Sequence, residues 1–363
     1  MKIGFLIYGS LDILSGGYLY DRKLVDYLRL RGDLVTVISL PWRNYPVHLT
    51  DNFSFRLPPG LDILIEDELN HPSLIGANLG RQGIDYPVIS LVHHLRSSEL
   101  RPRWQNACYR AVESRYLRSV DGFIFNSQTT RAVVTDLVGD EKPSLVAYPP
   151  TDRFGDGFSE EQARTRSLEA GPLRLLFLGN VIPRKGLHTV LKALAFQGTL
   201  PGASPGNPTI TLDVVGSLAA DPAYARRMRT FAASHCPPSS IVFHGALDNM
   251  PLFEKLKRAH VLVVPSSYEG FGIVYLEGMA LGLPAIGTTA GAAPEIISDG
   301  ETGYLIRPED ALALAQRLER LASDRVLLAR LSQNALHRYH DQPRWEQTAG
   351  EVRAFLETIR GKQ

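Results

Sequence analysis

HVLVVP, residues 260 to 265, runs directly into SSYEGFGIVYLEGMALGLP, residues 266 to 284. The first piece is short, β-branched and apolar throughout, the pattern of a strand covered on both faces. A Gly270-Phe271-Gly272 turn follows, and then a helical stretch from about Ile273. Strand, glycine turn and helix in that order form half of a βαβ unit, and ligands of such sheets gather at the carboxyl ends of the strands. Glu269 stands just before the turn, and Glu277 about one turn inside the helix. Helix side chains lean toward the N-terminus, so both carboxylates can approach the space above the helix start. That space also receives free backbone N–H groups and the positive end of the helix, which suits an anion. The carboxylates would repel a phosphate but can accept hydrogen bonds from hydroxyl groups on either side of it. A nucleotide-sugar has that layout, with Glu277 on the ribose and Glu269 on the transferred sugar. The bland alternative is an acidic loop residue followed by a solvated helix glutamate.

The same unit recurs along the chain. In the first half the expected strands are KIGFLIY (2–8), DLVTVIS (33–39), LDILIE (61–66), PVISLVH (87–93), DGFIFN (121–126) and SLVAY (144–148). In the second they are LRLLFLG (173–179), TITLDVVG (209–216), SIVFHG (240–245), HVLVVP and PAIGTT (284–289). Helical stretches lie between them, notably Tyr18 to Leu30 and Trp104 to Ser119, with further ones near residues 309–323, 324–339 and 345–359. The polar stretch from Tyr148 to Pro172 reads as an interdomain connection, and PGASPGNP (201–208) as a surface loop. The expected fold class is therefore α/β, with two Rossmann-like, doubly wound domains facing a cleft. Their expected extents are 1–152 and 153–343.

Bulk composition narrows the function. The 363 residues carry a net charge of +1, so no global field recruits nucleic acid, and an anionic ligand needs a local site. The two cysteines, Cys108 and Cys236, fall in different halves, which argues against a disulfide framework. The N-terminal MKIGFLIYGS lacks a signal-peptide pattern, and no run of about 18 apolar residues occurs, so the expected location is cytoplasmic or at the inner face of a membrane.

Three other turns carry candidate chemistry. After LRLLFLG, Arg184 and Lys185 stand beside a helix expected from about Gly186, a placement suited to a diphosphate or to two solvated cations. Gly16-Gly17 precedes the first helix without forming GxGxxG. The second strand ends in Ser39-Leu40-Pro41, with no acid for an adenosine ribose, so a nicotinamide or flavin site is poorly supported. His93-His94 ends the fourth strand, with His93 favoured to touch a sugar hydroxyl. Glu66-Asp67-Glu68 ends the third strand. With no His or Cys beside these acids in sequence, they read as a solvated strand end or an acceptor contact rather than a metal site. Residues 96–118 hold six arginines against Glu99 and Glu113, with Leu100, Trp104 and Tyr109 interspersed. The segment reads as a solvated face or as a contact for an anionic membrane or acidic acceptor.

In order along the chain, Gly16-Gly17, VHH, DGFIFNS with Ser127, LGNVIPRKG, EGFGIVYLE and AAPEIISDGETGYLI together resemble the family-4 retaining glycosyltransferases. The resemblance implies the glycosyltransferase-B fold and a metal-independent, retaining transferase, plausibly of hexoses, that needs no cofactor beyond its nucleotide-sugar donor. It implies that Arg184 and Lys185 hold the donor diphosphate, that Glu277 holds the ribose, and that Glu269 and His93 contact the transferred sugar. Gly16, Gly17, Asn180 and the backbone of Phe271, Gly272, Ile273 and Val274 complete the implied donor set. The base is placed near His244 to Asp248, and the C-terminal helix, about 344–363 with Trp345, is placed back on the first domain. Many members have Arg where Asn180 stands, and Asp where His94 stands. An epimerase, a phosphorylase or a catalytically silent sugar-nucleotide-binding protein on the same fold is the alternative function. A phosphorylase would need a pyridoxal-binding lysine, for which there is no clear signal. The base, sugar and acceptor are not legible.

Overall fold

The computed structural model describes residues 1–13, 15–150, 152–155, 157–196, 210–237 and 240–361. The Pro/Gly-rich stretch at 201–208 lies outside the described residues. The chain divides into two compact units, Met1–Pro150 with Pro343–Gln363, and Thr151–Gln342.

The first unit is built on six parallel strands: β1 (Lys2–Tyr8), β2 (Leu34–Leu40), β3 (Ile63–Asp67), β4 (Val88–Val92), β5 (Gly122–Phe125) and β6 (Ser144–Val146). Their order is β2-β1-β3-β4-β5-β6. Ile3, Phe5, Leu6 and Ile7 of β1 are all fully buried, because helices cover both faces of the sheet. On one face Ile3, Phe5 and Ile7 pack with Leu24 and Leu28 of the helix Gly16–Leu30 and with Val352 and Leu356 of the C-terminal helix Trp345–Arg360. On the other, Leu6, Leu64 and Val88 pack with Tyr116 and Leu117 of the helix Arg103–Ser119. Each such leucine contributes roughly 1.5–3 kcal/mol by leaving water. The helices start where short polar side chains satisfy free N–H groups. Ser15 Oγ accepts from Tyr18 N, and Ser127 Oγ accepts from Thr130 N to open the helix Gln128–Val138.

The second unit has six parallel strands: β7 (Leu173–Leu178), β8 (Ile210–Val215), β9 (Ile241–Gly245), β10 (Val261–Val263), β11 (Ala285–Thr288) and β12 (Gly303–Ile306). β12 falls in the AAPEIISDGETGYLI stretch, whose strand was visible only through the resemblance. The order is β12-β11-β10-β7-β8-β9. β7 thus lies between β8 and β10, and the connections leave it in opposite directions. In the first unit the corresponding reversal lies between β1 and β3. Both sheets therefore have a switch point, where two neighbouring strands end without a helix crossing between them.

The polar stretch 148–172 is more than a connection. Its second half forms the helix Glu160–Leu168, opened by a capping box between Ser159 and Gln162. This helix packs against the helix Arg325–His340. It buries only Ala163, Arg166 and Ser167, too few apolar positions to leave a helical period in the sequence.

Candidate functional site

At the switch point of the second sheet, the turns after β7 and β10 meet. The chain leaves β7 through Gly179 and reaches Arg184 and Lys185 in a single 3-10 turn, Pro183–Lys185. Gly186 then takes a left-handed conformation (φ 75°), and a Cβ there would lie 2.1 Å from the carbonyl oxygen of Pro265, directly after β10. Only glycine allows this approach. Two backbone-anchored bonds lace the turns together: Ser267 N donates to Arg184 O at 2.8 Å, and Arg184 Nη1 donates to Tyr268 O at 2.9 Å.

Glu269 is buried between these partners. Lys185 Nζ donates to its Oε1 at 2.5 Å, Ser266 Oγ donates to the same oxygen at 2.5 Å, and Arg184 Nη1 lies 3.6 Å from Oε2. Its backbone is pinned as well. Ala292 N donates to Glu269 O at 2.8 Å, and a Cβ on Gly291 would meet that oxygen at 2.2 Å. Burial alone would favour a neutral carboxyl. Lys185 and Arg184, with the hydrogen bonds from Lys185 and Ser266, outweigh it and hold the Glu269 pKa at about 2. The group is thus an anion at neutral pH, an acceptor of hydroxyl hydrogen bonds and not a general acid.

Glu277 lies in the helix Ile273–Met279, which follows the left-handed Gly272 (φ 98°). The helix is short, so its start carries less than a full macrodipole. Arg153 Nη1 donates to Glu277 Oε1 at 3.1 Å, while its Nη2 and Nε donate to Asn249 Oδ1 at 2.7 and 3.0 Å. Burial raises the Glu277 pKa, and Arg153 partly offsets the rise. Sequence reasoning missed Arg153, which stands alone in a stretch read as a connection, and Ser266, which looked like an ordinary loop serine. Asn180 follows Gly179, and a Cβ on Gly216 of the next turn would lie 3.1 Å from Asn180 N. His244 pairs with Asp213 at 2.5 Å at the end of β9.

The first unit has its own cluster where β1, β3 and β4 end. Gly17 lies against His93, since a Cβ there would sit 3.2 Å from His93 Cδ2. His93 Nε2 bonds to Asp21 Oδ1 at 2.9 Å, and the ring meets Tyr20 edge to face. Asp67 joins them, with ligand-capable atoms of Asp21, Asp67 and His93 all within 4.8 Å. This corrects two expectations. Glu66, Asp67 and Glu68 are buried, not solvated, and a histidine does accompany them, brought in by the fold rather than by sequence. One protein donor reaches each of two acids, Leu69 N for Asp67 and Asn78 Nδ2 for Glu66, while Asp67 Oδ2 and Glu66 Oε1 have no hydrogen-bond partner among the described residues. Burial and the neighbouring Asp21 raise the Asp67 pKa. Burial opposes a charged His93, yet Asp21 and Asp67 outweigh it and raise its pKa. His94 turns away and bonds to Glu99 at 3.1 Å.

Two doubly wound sheets of this strand order are the glycosyltransferase-B fold. The Glycosyl transferases group 1 family matches residues 158–338. Glycogen synthase of Mycobacterium tuberculosis is 27% identical over 300 residues, 81% of this chain and 67% of its own length. D-inositol 3-phosphate glycosyltransferase of Acidothermus cellulolyticus is 30% identical over 247 residues, 65% of this chain and 53% of its own, so the chain matches only about half of that relative. Among solved structures, sucrose-phosphate synthase from Thermosynechococcus elongatus has a TM-score of 0.81 at 22% identity over 100% of both chains. Anabaena Alr3699/HepE in complex with UDP and glucose has a TM-score of 0.76 at 19% identity, covering 99% of this chain and 100% of its own. The chain belongs to the group 1 glycosyltransferases, the retaining family 4.

The Glu269 pair has a measurable signature. A carboxylate held near 2 against an ordinary 4.5 contributes stability that is fully present above about pH 4.5 and lost as pH falls toward 2. The gross effect is about 3 kcal/mol, reduced because burial pulls the Lys185 ammonium pKa down. Urea denaturation from pH 5 to pH 2.5 is expected to show a flatter stability profile for Glu269→Gln than for the wild type. Parallel profiles would mean that the pair is not formed in solution.

Proposed function

We propose that this chain transfers a sugar from a nucleoside-diphosphate sugar to an acceptor hydroxyl, with retention of anomeric configuration and without a metal ion. The observation that carries the reading is the ion-paired junction of Arg184, Lys185 and Glu269 at the β7/β10 switch point. Arg184 and Lys185 receive the diphosphate, helped by backbone N–H groups from Phe271 to Val274. The anionic Glu269 accepts from hydroxyls of the transferred sugar, and Glu277 accepts from the ribose diol. Asn180 lines the diphosphate side. His93 and the Gly16-Gly17 pair, which opens the helix Gly16–Leu30 rather than a turn before it, are assigned contacts with the transferred sugar. In the reaction the bond from the anomeric carbon to the phosphate oxygen breaks, and its electron pair leaves with the nucleoside diphosphate. The acceptor oxygen bonds to the same face of the sugar, and its proton passes to the departing phosphate oxygen. Stabilising that leaving charge by prearranged cations is the main catalytic effect, and no protein nucleophile is required.

The donor is found by a thermal-shift panel of UDP-, GDP- and ADP-sugars, followed by NMR of the product's anomeric proton. With the best donor, Lys185→Ala is expected to weaken donor binding at least about tenfold, the loss of a charge-assisted hydrogen bond. Glu277→Ala should weaken nucleotide binding, and Glu269→Ala should lower kcat more than it lowers nucleotide affinity. Normal turnover in the Glu269 variant, an inverted product, or donor interconversion without acceptor would each overturn the assignment. Activity is expected to survive EDTA. Loss restored by Mg²⁺ or Mn²⁺ would instead place a cation on the diphosphate.

A second reading concerns where the acceptor resides. No helix among the described residues is long and apolar enough to cross a membrane. The helix Arg103–Ser119, however, exposes Trp104, Cys108, Arg103, Arg110 and Arg115, with exposed Leu100 just before it. An exposed tryptophan and leucine among arginines fit the boundary of an anionic bilayer. We infer peripheral binding there. Vesicles of phosphatidylcholine with phosphatidylglycerol should float the chain at low salt and release it at high salt, and Trp104→Ser should weaken the flotation. Equal flotation with pure phosphatidylcholine would refute an electrostatic contact.

A further inference from the structure

The opposite edge of the second sheet carries a different concentration of positive charge. Arg174 is the second residue of β7, and His260 directly precedes β10, so both stand at the amino ends of strands whose carboxyl ends carry the donor turns. A pocket of about 680 Å³ opens beside them. Arg166, Arg174, Lys257 and Arg258 line it against Glu161 and Glu169, four cations to two carboxylates.

Arg166 is the unusual member. Its side chain is only 4% exposed. Nη2 donates to Gly282 O at 2.7 Å and approaches Ser332 Oγ at 3.5 Å, but Nε and Nη1 have no hydrogen-bond partner among the described residues. No ion pair to a carboxylate is formed by it among those residues. A buried guanidinium left in this condition is costly. The Phe158 ring, 5.2 Å from Cζ, compensates only in part. The surroundings add to the field. Arg174 pairs with Glu169 at 2.6 Å, and Arg325 donates to Gly171 O at 2.8 Å. His260 is held neutral, with its pKa lowered to about 3 by burial and by Arg174, Arg325 and Arg166. Burial and Arg174 likewise pull the Arg166 pKa down.

We propose that this pocket is a second anion site, which takes a phosphoryl group, free or on a small metabolite, with Arg166 at its floor and Arg174 and Arg258 at its mouth. A phosphoryl dianion matches the excess of two positive charges, and its oxygens accept from the guanidinium groups at the mouth, above the buried charge of Arg166. The open volume beyond Arg166 leaves room for an organic substituent. The site rests on observations separate from those behind the donor assignment, so either can fail alone.

Phosphate also fits the donor turn, so the test is made in the full-length Lys185→Ala chain. Isothermal titration with inorganic phosphate, at ionic strength matched with chloride, is expected to show one saturable site. Arg166→Met on that background should weaken it at least about tenfold. Arg258 is exposed, so Arg258→Ser should weaken binding several-fold with Tm unchanged, which covers the case in which Arg166→Met folds poorly. Glycerol 3-phosphate is titrated in parallel. Tighter binding than phosphate assigns the site to an organic phosphate, and equal binding assigns it to the free ion. Absence of saturable heat up to about 10 mM phosphate, or binding indifferent to both arginine variants, overturns the proposal.

Discussion

The second unit depends on one buried contact, the 2.5 Å bond between Lys185 and Glu269. Neither charge could be buried alone, because desolvation of a single ion exceeds what the rest of a turn can supply. The strand order makes the contact possible. β7 and β10 are neighbours although some eighty residues separate their turns, so a basic turn and an acidic turn arise side by side. Gly186 and Gly291 then let main chain approach main chain until the side chains have nowhere else to point. The result is a rigid electrostatic seat. Its cations are fixed by Tyr268 O and Glu269, its carboxylate by Ser266, and the Glu269 main chain by the Ala292 N–H.

The first unit repeats the logic with different groups. Its switch point lies between β1 and β3, and the first helix and the β3 end bring Asp21 and Asp67 together there, with His93 arriving from β4. Asp67 is buried beside Asp21, so its charged form needs a cationic partner. His93 supplies that partner, which explains why its proton is held more firmly than that of an isolated histidine despite burial. In both sheets the switch point is where helices leave a gap, and the gap is filled by ionisable side chains rather than by apolar ones.

What the sequence made legible follows from this. Continuous apolar runs ended by glycine turns gave the strands, and the motifs at those turns gave Lys185, Glu269, Glu277 and His93, because each sits at a strand end or one turn into a helix. The residues that complete the sites were not legible. Asp21 lies inside an ordinary amphipathic helix, Ser266 in a plain loop, and Arg153 in a polar stretch, and each acquires meaning only from a partner distant in sequence. The acidic triplet 66–68 misled for a related reason. Charge suggests water, but here the acids are buried, with one donor each from Leu69 N and Asn78 and with Glu66 Oε1 and Asp67 Oδ2 left without a hydrogen-bond partner among the described residues. The helix Glu160–Leu168 was hidden because what it buries is an arginine, an alanine and a serine.

That helix and the residues before it form a strap on the helix that carries Glu277. Arg153 holds Glu277 itself, Phe158 N donates to Ala280 O, and Arg166 donates to Gly282 O. Gly157 fits against Ala280 so closely that a Cβ would lie 2.0 Å from its carbonyl oxygen. The strap therefore touches the Glu277 helix at its acid and at its exit. Arg166 is shared by two tasks, closing the exit of that helix and facing the cationic pocket at the far edge of the sheet.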